Sequence, residues 1–322
     1  MLTLVFRKKR KGANSIEGVF GALEGTLAEH RNLELPVEGA SPGSLWRNFW
    51  FVRRRRGEVS HITGDVQYAV MATGGRTLLT VHDVGSAFTG NWLKRLYVRI
   101  LWFVLPTLIA KRISVISQAT KDDLIRIAPW AKNKITVIPD PYNPVFEGEE
   151  KENMASVPRI LHIGTKPNKN LERVIQALKG LDCHLVIIGR MSEEQMDLVE
   201  ASGLSIENKC DIPLEELVEE YRRCDIVSFP SMFEGFGMPI IESQAAGRPV
   251  VAGDIPVLRD VAGDGGAIFV NPHDIDSIRG GFLGLMNDRE CCRLIIRRGK
   301  QNIRRFHPQI IADMYNKIYR EL

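Results

Sequence analysis

The second half of the chain alternates short β-branched runs with amphipathic segments, at a spacing that admits few architectures. "RILHIG" (159–164) reads as a strand, "NLERVIQALKG" (170–180) as a helix closed by Gly180, and "CHLVIIG" (183–189) as the next strand. Ser192 and Gln195 have the spacing of a capping box ahead of "EEQMDLVEASG". "PLEELVEEYRRC" (213–224) is an amphipathic helix with proline at its start, and "CDIVSFP" (224–230) is a buried strand. "RPVVAG" (248–253), "IPVLRDVAG" (255–263), "GAIFV" (266–270) and "DIDSIRGGFLGLMN" (274–287) continue the pattern. Strand and helix in strict turn predict βαβ units and a doubly wound parallel sheet.

The first half is similar and less regular. "LTLVF" (2–6), "EVSHIT" (58–63), "TLLTVH" (77–82), "RISVIS" (112–117) and "KITVIP" (134–139) are its strand candidates, and "QATKDDLIRIA" (118–128) is its clearest helix. The stretch 140–158 is rich in Pro, Gly, Asn and acids without periodicity, and reads as an interdomain linker. A length of 322 residues fits two domains. The division expected is 1–150 and 151–305, with residues 306–322 a last helix. Two such α/β domains place a cleft between the C-terminal edges of their sheets, where open sheets bind ligands.

Charge divides the chain in the same place. Residues 1–150 hold 21 Lys and Arg against 14 Asp and Glu, residues 151–322 hold 22 against 25, and the total is +4. "RKKRK" (7–11) and "RRRR" (53–56) supply most of the basic excess, which suits an anionic lipid surface or a phosphorylated substrate. Nucleic acid is disfavoured, because the chain has no finger spacing, no aromatic RNA-binding run and no zipper heptads. The longest apolar run, "ILWFVLPTLIA" (100–110), is too short to span a bilayer; it reads as a buried helix or, with its basic flanks, as a membrane-surface segment. Five cysteines without a CxxC pair, and an N-terminus whose basic run follows its apolar one, predict a cytoplasmic protein.

The chemistry gathers in "SMFEGFGMPIIESQAAGRPVV" (231–251). Pro239 can open a helix, and the glycines before it bring backbone N–H groups to a helix start, which makes an anion site. Gly235 and Gly237 let a ligand approach the backbone, with Phe236 and Met238 beside them. Glu242 can accept two hydroxyl hydrogen bonds from a ribose diol, and Glu234 can do so for a second polyol. In "HIGTKPNKN" (162–170), Lys166 and Lys169 follow Gly164 just beyond a strand and suit a diphosphate. His82 and Asp83 end one N-terminal strand; His61 and Asp65 stand in the same relation to another. "DID" (274–276) opens a helix, so Asp274 is a cap and not a metal ligand. No strand is followed by GxGxxG, which counts against an NAD enzyme.

Glu234 and Glu242, seven residues apart in "EGFGMPIIE", resemble the E-x7-E signature of the retaining GT-B glycosyltransferases called family 4. "DIVSFPSMFEGFGMPIIESQAAGRPVVA" matches that family's pattern along its length, and "ILHIGTKPNKNLERVIQAL" looks like its donor-phosphate loop. "VHDV", "SVISQATKDDL" and "ITVIPDPYNP" fall in the family's order, so that the likeness covers most of residues 58–305. The resemblance implies two Rossmann-like domains facing across a cleft. It implies transfer of a sugar from a nucleotide diphosphate with anomeric retention and without a metal or other cofactor.

Carried over by position, Glu242 would hold the donor ribose and Glu234 the donor sugar. The amides of Gly235 to Met238 would meet the donor, with Lys169 and Lys166 at the diphosphate. His82 would lie beside the reacting sugar, with Gly12, His61, Asp65 and Asp83 toward the acceptor. The last helix would cross back onto the N-terminal domain. Thr165 stands where many members carry arginine, and "RKKRKGANSIE" offers one glycine where many carry two.

The expected activity is thus a cytoplasmic transferase acting on a saccharide or lipid-linked saccharide in surface polysaccharide synthesis, with peripheral contact to the inner face of an anionic membrane. The rival readings are a nucleotide-sugar epimerase of the same fold and a non-catalytic, nucleotide-sugar-binding partner of another transferase.

Overall fold

The computed structural model describes residues 1–9, 15–151 and 153–322. Gly12 lies outside the described residues. The chain divides into two compact units, Met1–Pro141 with Pro308–Leu322, and Tyr142–His307.

The first unit contains strands β1 (Leu2–Phe6), β2 (His30–Glu34), β3 (Val59–Ile62), β4 (Thr77–Val81), β5 (Arg112–Val115) and β6 (Ile135–Val137). Between them run helices α1 (Ser15–Gly21), α2 (Pro42–Arg55), α3 (Val70–Thr73), α4 (Trp92–Val98), α5 (Leu105–Ile109) and α6 (Gln118–Ile127), with a π-helical turn at Arg99–Val104. The sheet is parallel throughout, in the order β2-β1-β3-β4-β5-β6. Its winding reverses between β1 and β3, so the crevice that such sheets offer to ligands opens at the ends of those two strands.

Both faces of this sheet are covered, which is why its strands read as nearly continuous apolar runs. On one face Val52, Phe103 and Leu124 join strand residues such as Ile62, Leu79 and Ile113 in a single core. On the other, Ile16, Val19 and Phe20 of α1 pack with Ile311, Tyr315 and Ile318 of the last helix in the chain. That covering corrects one sequence expectation. His61 does not face toward an acceptor, because its ring is fully buried beneath the C-terminal residues. Its Nδ1 lies 2.7 Å from the Tyr319 hydroxyl, and its Nε2 lies 2.7 Å from Thr80 Oγ1. A histidine inside a strand of a sheet covered on both sides belongs to the core.

The second unit holds β7 (Arg159–Ile163), α7 (Leu171–Leu178), β8 (His184–Ile188), α8 (Glu193–Ser202), β9 (Ser205–Lys209), α9 (Leu214–Arg223), β10 (Ile226–Phe229) and α10 (Met238–Ala246). It continues with β11 (Val250–Gly253), α11 (Pro256–Ala262), β12 (Ile268–Val270), α12 (Ile275–Asn287) and α13 (Arg289–Asn302). Its parallel sheet runs β12-β11-β10-β7-β8-β9. The capping box at Ser192 and Gln195 is formed, and Asp274 caps α12 through the Asp276 N–H.

Residues 144–151, within the stretch read as a linker, lie against this second unit. Phe146 is buried with its ring 5.2 Å from Tyr221, and the Gly148 N–H donates to the Ala245 carbonyl. The last helix, α14 (Pro308–Glu321), belongs to the first unit. Its residues Ile311, Tyr315, Ile318 and Tyr319 recur every three or four positions, as one buried face requires. Asn316 adds backbone partners at Ala28 and Thr26.

The buried histidine makes the first unit acid-sensitive. Burial lowers His61 from 6.5 to about 3. Acidification below pH 6.5 therefore protonates the unfolded chain and not the folded one. The stability this group contributes is complete above pH 6.5 and is lost as the pH falls toward 3. Each pH unit in that window costs about 1.4 kcal/mol per such group. His61→Gln should lessen the acid-induced fall in the urea unfolding midpoint between about pH 7 and 5. An equal fall in both proteins would refute this account.

Candidate active site

Strands β7 and β10 are neighbours in the second unit, yet the chain leaves them toward opposite edges of the sheet. Their following loops therefore meet at the point where the winding reverses. Gly164 ends β7 with φ +93°, and a Cβ there would come within 2.9 Å of Lys169 Cγ. Glycine lets Lys169 fold back across the strand end. The Lys169 ammonium then lies 2.5 Å from Glu234 Oε1 and 4.7 Å from the centre of the Phe229 ring.

Two asparagines complete the tie between the loops. Asn168 Nδ2 donates to the Phe233 carbonyl at 2.9 Å and to Glu234 Oε1 at 3.3 Å, while its own carbonyl accepts from the Met232 N–H. Asn170 adopts φ +68°, which asparagine tolerates better than most residues. Its buried amide donates to the carbonyls of Pro230 and Pro272. Neither asparagine was singled out from the sequence, although each flanks Lys169 directly. Lys166 stands exposed in the same turn. Thr165, in the place of the expected arginine, donates to the Arg190 carbonyl at 2.6 Å.

The loop after β10 needs glycine at one position above all. Gly237 has φ +121°, and a Cβ there would meet Leu258 Cδ2 at 2.6 Å. Beyond it α10 begins at Met238 with Pro239 in its first turn, so the missing proline N–H costs nothing. Phe236 is buried with its ring edge-on to Phe306 at 5.7 Å. Its side chain serves packing, and Glu234, Gly235 and Met238 beside it are half-buried. Phe233, by contrast, is exposed.

Glu242 is partly buried near the start of α10, and its Oε2 accepts a 2.6 Å hydrogen bond from the Tyr221 hydroxyl. Burial raises the Glu242 carboxyl from 4.5 to about 7, against the opposing pulls of Tyr221 and of the Lys169 charge. Tyr221 is fully buried on α9, and its hydroxyl is pushed well above its usual range by burial and by the Glu242 charge. One carboxylate oxygen of Glu242 is held by Tyr221. Lys169, Glu234 and Glu242 thus belong to one constellation at the end of the second sheet.

The first unit keeps its candidates at the corresponding edge of its own sheet. His82 follows β4, and its Nε2 lies 2.8 Å from the Thr63 carbonyl, which fixes the proton on that nitrogen. Gly64 makes room for the ring, since a Cβ there would lie 2.5 Å from His82 Cδ2. The other ring nitrogen is 3.9 Å from the carboxylate of Asp140, which burial raises and the His82 charge lowers. No local motif marks Asp140 in the sequence. Asp65 binds Arg7 at 2.6 Å across the crevice between β1 and β3, and Glu17 holds the same guanidinium at 2.9 Å. Asp83 is exposed and accepts from the Gly85 N–H.

Comparison with known proteins adds to this geometry. Residues 148–302 match the family model of the glycosyl transferases group 1. The chain is 29% identical over 210 residues to the O-antigen chain mannosyltransferase RfbU of Salmonella typhimurium, an alignment covering 61% of the chain and 57% of that relative. It is 26% identical over 254 residues to the O-antigen chain mannosyltransferase B of Escherichia coli, covering 72% of the chain and 66% of the relative. The matched stretches thus span less than two thirds of either relative.

Among solved structures, Anabaena HepE in complex with UDP and glucose superposes with a TM-score of 0.81 at 14% identity, over 100% of both chains. Sucrose-phosphate synthase from Thermosynechococcus elongatus gives 0.77 at 16% identity, over 99% of this chain and 98% of that one. The fold is GT-B, and by sequence the second unit is similar to group 1 glycosyl transferases.

The raised carboxyl has a stability consequence. A neutral Glu242 is favoured by the fold, so the folded state is least burdened below pH 4.5 and loses stability as the pH rises through about 7. Glu242→Gln is neutral at every pH and keeps an oxygen for Tyr221. It should stabilise the protein by about 1–3 kcal/mol at about pH 8, with the gain fading near pH 4.5. Urea unfolding at the two pH values measures this, and a destabilised variant at pH 8 would overturn the assignment.

Proposed function

We propose that the protein is a retaining glycosyltransferase that moves a sugar from a nucleotide-diphosphate donor to a saccharide or lipid-linked saccharide in surface polysaccharide synthesis. The observation that carries the reading is the convergence of Lys169 and Glu234, on the two loops at the β7–β10 reversal, with Glu242 near the start of α10. The match to group 1 glycosyl transferases over residues 148–302 supports it, as do the O-antigen mannosyltransferases among the relatives.

In this reading Glu242 accepts from the donor ribose, and Glu234 contacts the donor sugar. The diphosphate lies against Lys169 and Lys166, with the amides from Gly235 to Met238 and the start of α10 beside it. Charge builds on the diphosphate as the sugar leaves, and fixed positive groups stabilise it more in the transition state than in the ground state. Lys169 is already oriented by Glu234, whose carboxylate also accepts from Asn168, so little reorganisation accompanies the reaction. No metal is required, since the cationic side chains occupy the role one would fill. His82, its proton fixed by the Thr63 carbonyl, is assigned to the reacting sugar, and Asp65 and Asp83 to the acceptor side.

Thermal-shift measurements with UDP, GDP, ADP and dTDP test the donor half. One diphosphate should raise the melting temperature selectively, unchanged by EDTA and lost in Glu242→Ala. Lys169→Ala should lower kcat about 100–1000-fold while leaving the fold intact, the scale seen when one oxyanion donor is removed. A shift abolished by EDTA would overturn the metal-free arrangement. Normal sugar transfer by Glu242→Ala would overturn the site.

A further inference from the structure

Two stretches of the first unit contain no acidic residue, and both expose large apolar side chains. No Asp or Glu occurs between Glu38 and Glu58, or between Asp83 and Asp122. The first stretch contains α2. Trp46 is 64% exposed and Trp50 40%, their rings 5.6 Å apart, and the Arg54 guanidinium lies over Trp50. Arg53, Arg54, Arg55 and Arg56 end the helix, all exposed. The second stretch contains α4, which has no buried residue at all. Trp92 is 65% exposed and Leu93 59%, followed directly by the exposed Lys94 and Arg95.

These helices are neighbours on one face of the sheet. Val52, four residues before Arg56, and Phe103, in the turn after α4, lie in the same core cluster. Asn48 donates to the Tyr68 hydroxyl, whose ring contacts Trp102. Trp102 contacts Tyr97 of α4, and the Tyr97 hydroxyl donates to the Ala40 carbonyl just ahead of α2.

An exposed apolar helix face in water is unfavourable unless something covers it. We propose that α2 and α4 together form a surface that lies on an anionic phospholipid bilayer. Tryptophan prefers the membrane–water boundary, and clustered arginine and lysine without acids are attracted to anionic headgroups. Among the described residues no helix is long and apolar enough to cross a membrane, so the contact is interfacial. A symmetric second copy is the poorer occupant, because it would set these arginines against one another. The inference does not depend on the transfer reaction, and its test needs no donor.

The full chain is sedimented with vesicles of phosphatidylcholine alone and with vesicles containing about a third phosphatidylglycerol. The anionic vesicles should retain it and the neutral ones should not. Arg53→Ser with Arg54→Ser should lower the partition by about 30-fold, from the usual value of a basic residue near an anionic surface. Trp46→Ser with Trp50→Ser should weaken it further at high salt, where headgroup attraction is screened. Leu294→Ser, on an exposed leucine of α13, should bind as wild type does. Circular dichroism confirms that each variant is folded. Absence of binding to anionic vesicles, or full binding by the tryptophan variant, would overturn the proposal. Retention on heparin or single-stranded DNA without vesicle binding would overturn it equally.

Discussion

Strands β7 and β10 lie side by side while the chain beyond each turns to a different part of the sheet, and the candidate site depends on that arrangement. Parallel strands connected by right-handed crossovers put the helix after β7 and the helix after β10 on opposite faces. The loops that lead to them must part over the strand ends. Backbone groups freed there would be costly if left unpaired. Asn168 and Asn170 answer that requirement by donating to the carbonyls of Phe233, Pro230 and Pro272. The Lys169–Glu234 pair joins the same two loops through charge. What is built as loop reinforcement thereby sets an ammonium and a carboxylate at fixed positions beside a helix start.

The same economy governs Glu242. The Tyr221 hydrogen bond and the Lys169 charge favour its ionised form, and burial outweighs both by favouring the neutral one. Tyr221 also packs against the edge-on ring of Phe146, so a residue in the stretch after the first unit touches the partner of Glu242. The fold therefore bears a cost for keeping an ionised carboxylate at this position.

How far the sequence reveals this follows from where each feature's information lies. Strands β7, β8, β10 and β11, the capping box at Ser192 and the loop from Ser231 to Gly237 were legible because their signals are local. Strands β2 and β9 were not: "HRNLE" and "SIENK" are polar edge strands paired on one side only, and they lack the apolar pattern of a covered strand. His82 and His61 differ by the place each holds relative to a strand end. His82 comes one residue after β4 stops, whereas His61 comes one residue before β3 stops, and that interval separates a side chain at the sheet edge from one in the core. Boundaries of that fineness are beyond pattern reading. The Tyr221–Glu242 and His82–Asp140 pairs join residues from separate elements, so no spacing rule announces them.

The basic runs show why a charge count alone decides little. Arg53, Arg54 and Arg55 occupy the last turn of α2, where cations are favoured by the helix dipole whatever lies outside. Arg7, in the other run, is drawn inward to Asp65 and Glu17 and adds nothing to the surface. Arg7 and the arginines of the last turn of α2 thus each have an internal reason that does not call on a partner. The exposed tryptophans have no such reason. Trp46 and Trp92 gain nothing from the dipole and bury little against their own unit, and the fold would lose little by replacing them with polar residues. The arginines acquire external meaning only because they surround side chains that the fold itself leaves unexplained.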